Sequence, residues 1–143
     1  MSSETAVTSV QPPLDRPLEP TTRLSGARVF VAEDEPIILF LLEDVLGDFG
    51  CTVVGRARWV SEALAFVTSQ VFDVAVLDCK LADGTIEPVI DVLAARGIPF
   101  IIASGASSTD FTDLFGSAIA VQKPYKVADL RQALIRALAQ GSA

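Results

Sequence analysis

The chain has 143 residues, half of them apolar, and a formal charge of −7. That is enough apolar material for one domain with a buried core and no disulfide or metal staple, while the acidic balance argues against a nucleic-acid or anionic-membrane surface, both of which attract Lys and Arg. No histidine occurs, which removes imidazole general bases, Ser/His/Asp triads and most zinc sites.

Residues 1–25 carry Pro12, Pro13, Pro17 and Pro20 among Ser, Thr and Glu. Such a composition buries little and favours extended conformations, so a disordered tail is expected there, with the domain at 26–141. The tail lacks a basic start followed by an apolar core and does not read as a signal peptide. "ARVFVAE" at 27–33 is a short continuous apolar run, the pattern of a strand buried on both faces. "PIILFLLEDVLGDFG" follows, with Ile38, Leu41, Leu42, Val45, Leu46 and Phe49 at three- and four-residue spacings, Pro36 in the first turn and Gly50 as the stop. That predicts an amphipathic helix. Its apolar run "PIILFLL" is broken by Glu43 and Asp44, too short for a bilayer.

The alternation continues. "CTVVGRA" reads as a strand, "SEALAFVTSQ" as a helix capped by Ser61, "FDVAVLD" as a strand ending on Asp78, and "IEPVIDVLAARG" as a helix stopped by Gly97. "IPFIIAS" is then a strand ending on Ser104, "SSTDFTDLFG" at 107–116 a short helix, "SAIAVQK" a strand, and "KVADLRQALIRALAQ" a terminal helix with Leu130, Leu134 and Leu138 on one stripe. Five strands alternating with five helices predict a doubly wound α/β sandwich, its parallel sheet covered on both faces. The two cysteines, Cys51 and Cys79, have no paired spacing and read as reduced thiols of a cytoplasmic protein.

In an open parallel sheet the ligand crevice lies outside the carboxyl ends of the strands. Here the first strand ends in Glu33 and Asp34, the third in Asp78, the fourth in Ser104, and the fifth in Gln122 and Lys123 before Pro124. Crowded like charges repel, and charges beside a core are costly, so the grouping needs a compensating cation or a chemical use. Taken singly each residue has an ordinary account: Glu33 and Glu35 as charges before a helix, Asp78 as a loop cap, Lys123 as a surface cation, Ser104 as a turn residue.

Together, "VFVAEDEP", "VAVLDCKLADG", "FIIASGA" and "VQKPY" resemble the four signature segments of response-regulator receiver domains, over about residues 27 to 140. The resemblance implies the flavodoxin-like, CheY-like strand order 2-1-3-4-5. "IPFIIASGAS" further resembles a segment of the stand-alone FAT GUY subgroup, with Ser104 where that group usually has Thr. A bacterial cytoplasmic signalling protein is then implied, one that takes a phosphoryl group from a sensor histidine kinase or a histidine phosphotransfer protein. By the same resemblance Asp78 is the phosphoacceptor. Mg²⁺ is held by Asp34, Asp78 and the Lys80 backbone carbonyl, with Glu33 through water or at longer reach. Lys123 pairs with Asp78 at rest and with a phosphoryl oxygen afterwards, Ser104 donates to another phosphoryl oxygen, and Pro124 favours a cis bond that aims Lys123 inward. Phosphorylation then pulls Ser104 and the 104–108 loop toward the site and shifts the face of the helix expected at 107–116, with dimerisation as one further outcome.

Two departures stand out. Ala120 occupies the position where many receivers carry an aromatic switch, leaving Tyr125 as a substitute or as a packing residue. Lys80, two residues beyond Asp78, places a cation where it would alter the lifetime of an acyl phosphate. A phosphorylation-independent scaffold and a Mg²⁺-dependent phosphohydrolase are the alternatives. The latter needs an acid/base carboxylate where this chain has Lys80.

Overall fold

The computed structural model describes residues 24–104 and 118–141. Chain order is β1 (Arg28–Ala32), α1 (Pro36–Asp48), β2 (Thr52–Ala57), α2 (Val60–Ser69), β3 (Val74–Asp78), the two-residue strands β4 (Lys80–Leu81) and β5 (Gly84–Thr85), α3 (Glu87–Arg96), β6 (Phe100–Ser104), β7 (Ile119–Gln122) and α4 (Val127–Gly141). The main sheet has the order β2-β1-β3-β6-β7 with every pairing parallel, which is the expected 2-1-3-4-5 order once the small β4–β5 hairpin is set aside. Four of the five expected helices are present. The one expected at 107–116 lies outside the described residues, as do residues 1–23 of the expected tail.

Period-two alternation splits each central strand between two cores. Val29, Val31, Val74, Val76, Ile101 and Ala103 point to the side covered by α1 and α4, where Leu42, Leu46, Leu130 and Leu134 pack on them. Phe30, Ala32, Ala75, Leu77 and Ile102 point to the side of α2 and α3, meeting Ala63, Val67, Val89 and Leu93. A register shift lies between Val29 and Phe30 where β1 pairs with β2. Gly55 follows it, and a Cβ there would stand 2.3 Å from the Phe66 ring, so the strand needs a residue without a side chain.

Four sequence expectations are modified. Leu41, placed in the buried stripe of α1, is 55% exposed; the buried residues of α1 are Leu42 and Leu46. The first turns of α1 are apolar nearly all round, so spacing alone does not select the face. Ser61 does not cap α2. The N-cap lies two residues earlier, at Trp59, whose side chain makes no capping bond. The Asp83 carboxylate instead accepts from the Val60 and Ser61 N–H groups, because two oxygens from a neighbouring loop satisfy two donors at once. Leu24 is buried, so the packed unit reaches back beyond residue 26. The β4–β5 hairpin is an addition, closed by the two-residue turn Ala82-Asp83 between the paired Leu81 and Gly84.

Candidate functional site

The carboxyl ends of β1, β3 and β7 bring together the charges that the sequence spreads over ninety positions. Beyond β1 the backbone stays attached to the sheet for one more residue, the Glu33 N–H donating to the Ala57 carbonyl at 2.9 Å. This holds the Glu33 side chain at 0% exposure. Burial is the main cause that pushes the Glu33 carboxyl up to about 7, with the Glu35 N–H bond opposing it and the Asp78 charge adding to it. Its Oε2 accepts from the Glu35 N–H at 3.1 Å. Its Oε1 lies 3.1 Å from Lys123 Nζ as an ion pair but is not aligned for a hydrogen bond.

Lys123 donates its aligned hydrogen bond to Asp78 Oδ2 at 3.0 Å. The lysine arrives there because β7 keeps pairing beyond Gln122, the Lys123 N–H donating to the Ser104 carbonyl at 2.9 Å; the Lys123–Pro124 bond that follows is cis. Both side chains are nearly enclosed, 12% exposed for Lys123 and 13% for Asp78. Burial works against the ammonium charge, and the Asp78 and Glu33 carboxylates outweigh it, leaving the Lys123 pKa above its ordinary value. Tyr125 packs against the α1–α4 core, and burial first, then the Glu33 and Asp78 charges, raise its hydroxyl pKa.

Glu33, Asp34 and Asp78 each present an oxygen within 4.8 Å of the other two. Three carboxylates against one lysine leave two negative charges when all are ionised, and Glu33 keeps a buried oxygen with no hydrogen-bond partner among the described residues. That donor set, all oxygen and doubly negative, fits a hard divalent cation such as Mg²⁺. Ser104 closes β6 in register with Gln122 of β7. Lys80 is exposed at the start of β4. Ala120 is an exposed residue of β7 and takes no part in the cluster. Asp83 is the residue that sequence reasoning missed: by holding α2 it ties the loop after Asp78 to the body of the fold. Among the described residues no helix is long and apolar enough to cross a membrane.

No family model matches the chain. The transcriptional regulatory protein PdtaR of Mycobacterium tuberculosis is 29% identical over 123 residues, covering 80% of this chain and 60% of that protein, so the chain spans about three fifths of this curated relative. Among solved structures, SdrG from Sphingomonas melonis is 35% identical with a TM-score of 0.67, the match covering 82% of this chain and 98% of SdrG. Its BeF3-activated conformation, described from Pseudomonas melonis, is 36% identical with a TM-score of 0.69, over 80% of this chain and 98% of that one. The REC domain of the PhyR response regulator from Erythrobacter litoralis is 26% identical with a TM-score of 0.70, over 81% of this chain and 92% of that domain. Of longer PhyR chains the match covers about half, 49% and 51% in two cases. With the five-stranded parallel order and the carboxylate cluster facing a lysine, these likenesses show that the chain belongs to the response-regulator receiver-domain family.

Proposed function

We propose that the chain accepts a phosphoryl group on Asp78 from a histidine kinase or a histidine phosphotransfer protein and signals by phosphorylation-dependent binding to another protein. The observation that carries this reading is the Asp78 carboxylate held at 3.0 Å by Lys123 within an oxygen cluster that also includes Glu33 and Asp34. An aspartate is ionised at neutral pH and attacks phosphorus without a general base. The new P–O bond to an Asp78 oxygen replaces the P–N bond of the donor imidazole, which leaves with its electron pair. Lys123, shared between Asp78 and Glu33, pairs with a phosphoryl oxygen as charge builds there. The Ser104 hydroxyl donates to another phosphoryl oxygen. Glu33, Asp34, Asp78 and the Lys80 carbonyl would hold Mg²⁺, which when bound supplies the positive charge that lets an anionic donor approach a carboxylate. The exposed Lys80 side chain sets phosphate lifetime, and Lys80→Ala changes the half-life of the acyl phosphate.

The test is amide NMR of wild type and Asp78→Asn in Mg²⁺, with and without beryllofluoride. Wild type alone is expected to respond, at Ser104, Lys123 and residues 107–116. Silence in both proteins would overturn the proposal in favour of a scaffold whose binding ignores phosphorylation.

A further inference from the structure

The segment after Asp78 is fixed at its base, along its side and at its tip. At the base, β3 keeps its ladder one residue past Asp78, the Cys79 N–H donating to the Ala103 carbonyl at 3.1 Å. The Cys79 carbonyl then accepts from the Ile86 N–H, also at 3.1 Å, which closes residues 79–86 into a loop. Within it Lys80 pairs with Thr85 and Leu81 with Gly84. Along the side, Leu81 and Ile86 are buried in the α2–α3 layer, whereas Lys80, Asp83 and Thr85 are exposed.

The tip is held by charge. Gly84 leaves the Ala82-Asp83 turn at φ +150°, a conformation that side chains rarely adopt. The turn carries Asp83 to the start of α2, where its two carboxylate oxygens accept from the Val60 and Ser61 N–H groups, Val60 lying twenty-three positions away. The helix has other means at hand. Its own Glu62 carboxylate accepts from the Arg58 N–H at 2.9 Å, and water satisfies exposed N–H groups at a helix start. What Asp83 adds is a tie between two loops, the one that opens α2 and the one that follows Asp78.

Lys80 stands between the base and the tip. The function proposed above gives its backbone carbonyl a place among the Mg²⁺ ligands. Glu33, Asp34 and Asp78 can each re-aim a carboxylate by turning a side chain. A backbone carbonyl has no such freedom and goes where the path of the segment puts it. Mg²⁺ demands near-octahedral oxygens at about 2 Å and tolerates little departure from that geometry. The path of residues 79–86 therefore matters to the site even though most of the segment lies outside it.

We infer that Asp83 is a positioning residue for the metal site: by bonding the first turn of α2 it fixes the 79–86 segment, and through it the Lys80 carbonyl, beside Asp78. Asp83 is not among the carboxylates grouped with Asp78 and acts from the turn, through the backbone. Groups behind a ligand that hold it in place contribute to metal affinity without touching the ion. The inference rests on the place given to the Lys80 carbonyl in the proposed function.

The test is Mg²⁺ titration of the labelled full-length chain, read at the amide signals of Asp78 and Lys80, with denaturant unfolding of the same samples. Asp83→Ala is expected to weaken Mg²⁺ binding on the order of tenfold, the lower end of what partners behind a ligand contribute. In metal-free protein it should also speed hydrogen exchange at the Ile86 amide, whose bond closes the segment. Asp83→Asn keeps one accepting oxygen and should recover part of both. Trp59→Asp added to Asp83→Ala gives α2 a carboxylate at its own N-cap but no tie to the turn. This double variant should regain stability and still bind Mg²⁺ weakly. Affinity that returns together with stability overturns the inference, because Asp83 then does no more than cap a helix. Unchanged affinity in Asp83→Ala overturns it as well, with wild type still binding Mg²⁺ and the proposed function intact. A wild type that does not respond to Mg²⁺ is the separate outcome that removes the proposed metal site, and the role of Asp83 with it.

Discussion

The two faces of the sheet are finished differently. On the α2–α3 side, Phe30 and Phe66 stack at 4.6 Å between centroids with 9° between planes, and Phe72 leans on both at 5.7 and 5.5 Å. That layer is also tied at its helix ends: the Arg96 guanidinium donates to the Val67 and Gln70 carbonyls at 2.6 and 2.7 Å, and Asp83 caps α2. On the α1–α4 side the packing is aliphatic, a pocket remains open, and three large apolar side chains face outward. Lys123, Pro124 and Tyr125 line that pocket. One layer therefore serves as the anchor, and the layer bordering the charged site is left accessible.

The strongest way to break this contrast is to hollow out the anchor. Phe30 is fully buried at the centre of the aromatic trio, and Phe30→Ala should cost about 3–5 kcal/mol, the range for removing a buried phenyl ring and leaving a cavity. Denaturant unfolding measures it. A smaller blow to the same layer is Gly55→Ala. The added methyl meets a Phe66 ring that Phe30 and Phe72 hold in place, so it should cost about 1–3 kcal/mol. A cost near zero would show that the ring yields and that the layer is softer than its stacking suggests.

Much of this contrast was legible in the sequence, and the exceptions have physical causes. The sheet order and the strand-end cluster follow from alternation and from charges that end otherwise apolar runs. Glu33 could be placed at the end of a strand, but its complete burial depends on the Glu33 N–H continuing the ladder to Ala57, a partner twenty-four positions away. Leu41 and Leu42 are equally apolar, and only the way α1 packs on the sheet and its core decides which is covered. The cap of α2 came from Asp83 rather than the local Ser61, because a capping oxygen can be supplied across space as well as along the chain. Local signals thus located the elements and the charged residues, whereas tertiary neighbours decided exposure.

The open layer is closed to water at its base, and pH can report this. Burial pushes the Cys51 thiol up to about 11 from its usual 9. Since the folded-state value is the higher, the unfolded chain ionises first as pH rises. The thiol's contribution is fully present below pH 9 and is lost progressively toward pH 11. Cys51→Ala should therefore flatten the alkaline part of the stability curve. A decline that is identical in both proteins would place its origin elsewhere.

The smallest expected effect sharpens the comparison most. Phe40 has the same side chain as Phe30, but 72% of it is exposed, against 0% for Phe30. Little apolar area leaves water at Phe40 on folding, so Phe40→Ser should shift stability by no more than about 0.5 kcal/mol. The same substitution removes the largest of the outward-facing apolar side chains of α1 and should weaken capture of whatever covers that face. A phenylalanine that barely contributes to folding yet alters binding would separate the two layers by role. A loss of several kcal/mol would instead mean that α1 is part of the anchor and that the apparent openness of this face does not extend to its energetics.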